Sequence, residues 1–289
     1  MRIALVTCPN LPDWEVDDRP FHDALRERGV ELRHPSWDNA SFNWSGCDAA
    51  LIRTTWDYQD RHEAFLDWAR RVDRVTRLFN PLPIIEWNSV KTYLRDLQQR
   101  GAPTIPTEWL ERGAPVDLRS RLAMRGWDRA FLKPAIGATA RETLRFNVDD
   151  EGLARADAQL ARLLPSETML LQPYLPRVES VGELSLIFID GAFSHAVRKA
   201  PVPGDYRVQN DFGAHDEPAP VSPETIELAR GVLESVRRDL LYGRADFLRD
   251  HAGGLCLSEL ELIEPSLFFR HDPAAAERLA DALIRRVRG

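Results

Sequence analysis

The chain has 289 residues, 44% of them hydrophobic, enough to fill the core of one large domain or of two or three packed lobes without covalent staples. Its formal net charge of -7 repels a phosphate backbone and argues against nucleic acid as a partner. Cys8, Cys47 and Cys256 are odd in number and lack metal-ligand spacing, and the first apolar run stops at Cys8-Pro9. The expectation is a cytoplasmic protein with neither disulfides nor a membrane span.

Short β-rich runs alternate with helical patterns through the first third. Strands are expected at Ile3 to Thr7, Glu31 to His34, Ala49 to Thr54 and Leu78 to Asn80, with helices near 20–28 and 59–72. This alternation predicts βαβ units and a parallel sheet. Ligands of such sheets bind at the carboxyl ends of the strands, where Arg53, Thr54, Thr55, Trp56 and Asp57 fall.

The stretch NPLPIIEWN, with two prolines, breaks the pattern and reads as a linker. A helix follows, capped by Asn88 or Ser89, with Lys91 in its first turn, Val90, Tyr93, Leu94 and Leu97 on one face, and Gly101 as a stop. Residues 105–173 read as a small α/β unit with strands near 105–110, 130–133, 143–148 and 169–172 and helices near 117–125 and 151–164. Two apolar strands, Glu183 to Ile189 and Ala192 to Lys199, flank Asp190-Gly191, a dipeptide suited to a hairpin turn. A polar loop is expected over 201–221, then a helix at 223–239, strands at 244–248 and 255–262, and an amphipathic helix from Pro273. The domains are expected at 1–87, 88–172 and 173–289.

Of 38 cationic residues only three are lysines, at positions 91, 133 and 199. Lys133 ends an apolar strand and precedes a loop of small residues, including Gly137 and Thr139, whose amides are able to surround phosphate. In SELELIEPS, Glu259 and Glu261 share one face of a strand while Leu260 and Leu262 face the core. Adjacent carboxylates repel unless a cation lies between them, and Asp246 in RADFL offers a third.

FLKPAIG, LLQPYLP, GELSLIFIDG, RADFL and SELELIEPSL, in this order and at these separations, resemble the ATP-grasp superfamily across nearly the whole chain. From WNSVKTYL through QPYLP and GDYRVQ to ELELIEPSLF, the chain most resembles the D-cycloserine-forming O-ureido-serine cyclo-ligases, and beyond them the glutathione synthetase and ribosomal-protein-modification types. The resemblance implies α/β architecture, with α+β ATP-grasp lobes behind an N-terminal parallel-sheet domain. It also implies a ligase that phosphorylates a carboxylate with ATP and joins it to nitrogen, with magnesium, or manganese in its place, as cofactor.

Carried over by residue, the resemblance makes Lys91 and Lys133 the phosphate-contacting lysines and puts Gly137 and Thr139 in a lid that carries one glycine where many relatives carry several. Gln172, Pro173, Tyr174 and Leu175 become the adenine hinge, and Glu183 the acid on the ribose hydroxyls. Lys199 and Arg207 face the transferred phosphate. Asp246, Glu259 and Glu261 become the metal ligands, the last a glutamate where many relatives have asparagine.

The attacking carboxylate is already ionised near neutral pH, so acyl phosphate formation requires no general base, and all seven histidines are read as structural or surface residues. Arg53 is expected to pair with the carboxylate of a small amino-acid-like substrate, with Thr54, Thr55, Trp56, Asp57, Ser266 and Arg270 shaping its pocket. A homodimer is compatible with the sequence. The activity expected is ATP-dependent C–N ligation through an acyl phosphate, with intramolecular cyclisation as one form of it, and with intermolecular amino-acid or peptide ligation and a non-catalytic nucleotide-binding regulator as alternatives.

Overall fold

In the computed structural model, residues 1–9, 11, 16–137, 141–208 and 212–289 are described. The described residues build three sheets.

The first sheet comprises β1 (Arg2–Thr7), β2 (Glu31–Arg33), β3 (Ala49–Thr54) and β4 (Arg77–Phe79), in the order β2-β1-β3-β4 with every pair parallel. The connections include α1 (Arg19–Glu27) and α2 (His62–Asp73), as the alternating pattern predicts. Successive residues of β1 point to opposite faces. Ile3 and Leu5 join one apolar cluster with Phe21 and Leu25 of α1, whereas Ala4 and Val6 join another with Phe65 and Trp68 of α2.

The stretch read as a linker is instead a helix, α3 (Leu82–Asn88). Pro81 is its N-cap and Pro83 lies in its first turn, where the missing N–H has no intrahelical acceptor to lose, so both prolines are tolerated. The next helix, α4 (Tyr93–Gln99), begins later than expected and has no side-chain cap. Lys91 therefore precedes the helix. Its amide donates to the Ala135 carbonyl at 2.7 Å, which ties this turn to the middle of the chain.

The second sheet contains β5 (Glu108–Leu110), β6 (Arg129–Pro134), β7 (Leu144–Asn147) and β8 (Met169–Pro173), ordered β5-β8-β6-β7 and antiparallel. It packs on α5 (Leu118–Arg125) and α6 (Asp150–Leu163). Asp117 and Asp149 cap these helices by accepting from Ser120 and Gly152 amides. A short helix, α7 (Arg177–Val181), which the sequence reading missed, connects to the third sheet.

That sheet has β9 (Glu183–Ile189), β10 (Ala192–Ala200), β11 (His215–Pro218), β12 (Tyr242–Arg249) and β13 (Leu255–Glu261), ordered β11-β10-β9-β12-β13 and antiparallel. Asp190 and Gly191 adopt φ of 52° and 77°, which makes the tight hairpin between β9 and β10. β11 was unexpected in a polar loop, but an edge strand needs only backbone pairing on one side, and charged residues suit its exposed face. The chain ends with α8 (Pro223–Ser235), four residues shorter than expected, and α9 (Pro273–Arg288).

Apolar clusters join elements that are far apart in the chain. Tyr93, Leu94 and Leu97 of α4 share a cluster with Leu257 and Leu260 of β13 and with Leu170 of β8, so this helix bridges the second and third sheets. Leu279 and Leu283 of α9 share a cluster with α1, so the C-terminus covers the first sheet. Asn80 donates to the Tyr242 and Leu262 carbonyls and accepts from the Leu241 amide, which locks the end of β4 to β12 and β13. No helix among the described residues is long and apolar enough to cross a membrane.

Candidate active site

One cavity of about 340 Å³ lies where the three sheets meet, a size suited to small molecules. β6 supplies Lys133, β8 supplies Gln172 and Pro173, β9 supplies Glu183 and β10 supplies Lys199. β12 adds Arg244 and Asp246, β13 adds Glu259 and Glu261, and the turn before α4 adds Lys91. Strand register brings the acids together: Asp246 stands opposite Glu259, and Glu261 lies two residues along on the same face. Leu260 and Leu262 are buried on the other face, as the alternation predicted.

The acids and bases are interleaved. Lys91 donates to Glu259 at 2.9 Å, and the Lys133 ammonium stands 3.9 Å from the same oxygen. Lys199 pairs with Glu183 and lies 3.2 Å from Asp246. Arg244 forks onto Asp246 with two contacts at 3.0 Å and also pairs with Glu261. Ser185 donates to Asp246 at 2.6 Å, and Ser258 to Glu183 at 3.1 Å. Gly182 makes the Lys199 approach feasible, because a Cβ there would stand 2.4 Å from the Lys199 carbonyl oxygen.

These contacts set the protonation states. Burial opposes ionisation of Asp246, yet Arg244 and Lys199 hold it well below the usual carboxylate range. Burial likewise opposes Glu259, but Lys91 and Lys133 pull it down. Burial pushes Glu183 up against the pull of Lys199. Burial also lowers the Lys133 ammonium, with Glu259 opposing and Lys91 reinforcing the shift. Glu261 is driven by burial up to about 7 despite Arg244, with Asp246 and Glu259 adding repulsion. Glu264 is driven by burial and Glu261 up to about 8. Among the lining residues the guanidiniums of Arg141, Arg207 and Arg270 are paired with acids outside the lining, which leaves Lys91, Lys133, Lys199 and Arg244 facing the five carboxylates Glu183, Asp246, Glu259, Glu261 and Glu264.

A divalent cation is the ordinary remedy for such an excess, and all-oxygen donors suit a hard metal. Glu259 and Glu261 fit that description, each retaining an oxygen without a hydrogen-bond partner among the described residues. Asp246 fits less well than the sequence implied, since both its oxygens are held by Arg244, Lys199 and Ser185. No group of three acidic, histidine or cysteine side chains among the described residues converges as a ready metal cage.

Several expected site residues sit differently. Arg53 does not line the cavity. It is 2% exposed, its Nε and Nη2 fork onto Asp18 with two contacts at 2.9 Å and Nη2 also donates to the Pro265 carbonyl at 3.1 Å, while Nη1 is buried without a hydrogen-bond partner among the described residues. Thr54, Thr55 and Asp57 are also outside the lining; Thr54 bonds Thr7, and Asp57 accepts from Trp37. Trp56, Ser266 and Arg270 do line it, although the Arg270 guanidinium is paired with Asp17 and Asp216.

Leu175 lines the cavity beside Gln172, whereas Tyr174 turns away and packs edge-on against Phe131. Arg207 lines it while paired with Asp205. Gly137 is present at the rim, and Thr139 lies outside the described residues.

Arg244 and Glu264 are among the lining residues that sequence reasoning missed. Both were legible as extensions of known segments: Arg244 is two residues from Asp246 on the same strand face, and Glu264 stands within SELELIEPS. No histidine is among the lining residues.

Two α+β sheets closing on a cavity lined by lysines and acids, behind a parallel N-terminal sheet, define an ATP-grasp ligase. The N-terminal domain of D-cycloserine synthetase DcsG matches residues 3–80. The cycloserine biosynthesis protein DcsG of Streptomyces lavendulae is 33% identical over 301 residues, covering 99% of each chain. A crystal structure of D-cycloserine synthetase DcsG superposes with a TM-score of 0.90 at 31% identity, covering 99% of this chain and 100% of that one. The D-alanine–D-alanine ligase of Bacillus anthracis shares the fold alone, with a TM-score of 0.68 at 14% identity over 99% of this chain and 97% of its own. The chain belongs to the DcsG family of ATP-grasp ligases, enzymes that form C–N bonds at the expense of ATP.

Proposed function

We propose that the chain closes a ring within one small amino acid, an O-ureido-serine or similarly β-oxygen-linked nitrogen derivative, by way of an acyl phosphate. The γ-phosphoryl group of ATP passes to a substrate carboxylate oxygen, releasing ADP. The side-chain nitrogen then attacks the carbonyl carbon and loses a proton as the C–N bond forms, and the C–O bond to phosphate breaks. The carrying observation is a cavity in which Lys91, Lys133, Lys199 and the acidic strand face share one space with Trp56, Ser89 and Ser266. Full-length similarity to a cycloserine biosynthesis protein supports the choice of substrate class.

Phosphoryl transfer has a loose transition state, so positioning and cationic charge on the phosphate oxygens supply most of the acceleration. Lys91, Lys133, Lys199 and Arg207 would provide that charge. Each now rests on a carboxylate, and an entering polyphosphate competes for it. Glu259 and Glu261 would hold magnesium, with Asp246 joining them as Lys199 turns to phosphate. The metal would neutralise charge on the transferring group. Gln172, Pro173 and Leu175, between the second and third sheets, would receive the adenine, and Glu183 the ribose.

ADP release with O-ureido-serine enantiomers and other β-substituted serines tests this reading, and product mass separates cyclisation from ligation to a second molecule. Wild-type turnover in a Lys133→Ala, Glu259→Ala double variant would overturn it.

A further inference from the structure

The segment after β13 is fixed in an unusual way. The carbonyls of four successive residues, 263 to 266, each accept from a different side chain: Tyr242 at 2.6 Å, Trp56 at 3.1 Å, Arg53 at 3.1 Å and Arg244 at 3.0 Å. The amides of Phe269 and Arg270 donate to Asp17 at 3.2 and 3.0 Å. Arg53 and Trp56 come from the end of β3 and the turn beyond it, so the first sheet grips the loop that closes the cavity. A backbone held at this many points presents its side chains with little freedom.

Glu264 lines the cavity on this loop, and its side chain has neither a hydrogen bond nor an ion pair among the described residues. Every other cavity carboxylate has a basic partner: Glu183 has Lys199, Asp246 has Arg244 and Lys199, Glu259 has Lys91 and Glu261 has Arg244. A partly buried carboxylate without a partner costs folding energy, and the bond from Trp56 to its carbonyl fixes the backbone from which it projects. Trp56 and Tyr58 line the same cavity, and aromatic faces favour an organic ammonium over a strongly hydrated metal ion.

We propose that Glu264 is the counterion for the α-ammonium of the substrate, held in place through Trp56 and Arg53. This assignment rests on the amino-acid substrate class given above. It converts Arg53 from a substrate contact into a positioning residue that acts through the Pro265 carbonyl.

The test compares the substrate with its desamino counterpart, in which hydrogen replaces the ammonium, by ADP release in the wild type, Glu264→Gln and Glu264→Asp. In the wild type the amine-bearing compound is preferred by roughly 10²-fold in kcat/KM, as expected where loss of a charge-assisted contact leaves a buried acid unpaired. In Glu264→Gln that ratio collapses toward unity through KM for the amino acid, while KM for ATP and the magnesium concentration for half-maximal rate stay within about twofold. Glu264→Asp recovers part of the ratio. The inference is overturned if Glu264→Gln weakens both compounds equally, or if its main effect is on magnesium. Wild-type enzyme inactive with every amino acid of this class would instead bring down the functional reading.

Discussion

The ammonium of Lys91 donates to the Glu259 carboxylate at 2.9 Å, joining the turn before α4 to the strand β13. Lys133 leans toward the same oxygen from β6, so one acid is the counterion of two lysines from different parts of the fold. Replacement of Glu259 by Gln leaves the two ammonium groups facing each other without compensation. The Lys133 ammonium, already lowered by burial, then loses its proton at lower pH, because Glu259 opposes that shift more than Glu183 does. Amine-specific labelling of Lys133 across a pH series checks this: its reactivity midpoint moves down in Glu259→Gln. ADP release falls by roughly 10²-fold or more in the same variant.

Arg53 and Asp18 form a buried ion pair, side chains 2% and 3% exposed. Breaking such a pair from one side strands a charge and costs about 3–5 kcal/mol. Arg53→Met and Asp18→Asn should each lower stability by that order in urea unfolding, and the double variant should lose less than the sum. Strict additivity would show that the pair does not act as a unit.

The unpaired Glu264 carries a pH signature. Its carboxyl ionises near the ordinary value of 4.5 in the unfolded chain but keeps its proton up to about 8 in the fold. Between those limits the folded state binds more protons than the unfolded state, so this group's contribution to stability declines as pH rises through the window. Glu264→Gln removes the decline. The variant's thermal midpoint should exceed that of the wild type by a few degrees near about pH 8.5 and by much less near about pH 5, in scans without ligand.

Glu261, pushed up to about 7, makes metal loading proton-linked. A cation at Glu259 and Glu261 favours the ionised form, so binding of magnesium with nucleotide at about pH 6.5 should release protons. Calorimetry in two buffers of different ionisation enthalpy measures that release directly. It should shrink in Glu261→Gln.

Much of this architecture was legible locally. The period-two pattern of SELELIEPS placed Glu259 and Glu261 on one face because strand geometry leaves no alternative once Leu260 and Leu262 are buried. The hairpin at Asp190-Gly191 and the caps at Asp117 and Asp149 follow from local backbone chemistry in the same way. Pro81 and Pro83 misled because a proline forbids a helix interior but suits its first turn, and the difference depends on where the helix starts.

The sequence by itself determined which residues lie on which strand face, where the lysines and acids fall along the chain, and the family pattern they make. Only the tertiary structure decided how they pair. An arginine at a strand end is equally suited to a ligand or to a buried aspartate, and Asp18, 35 residues away, made that choice for Arg53. Glu264 shows the reverse case, an acid unremarkable in sequence that became the cavity's unpartnered carboxyl because four side chains distant in the chain fixed the backbone beneath it. Periodicity is a property of neighbours along the chain, whereas charge compensation is a property of neighbours in space.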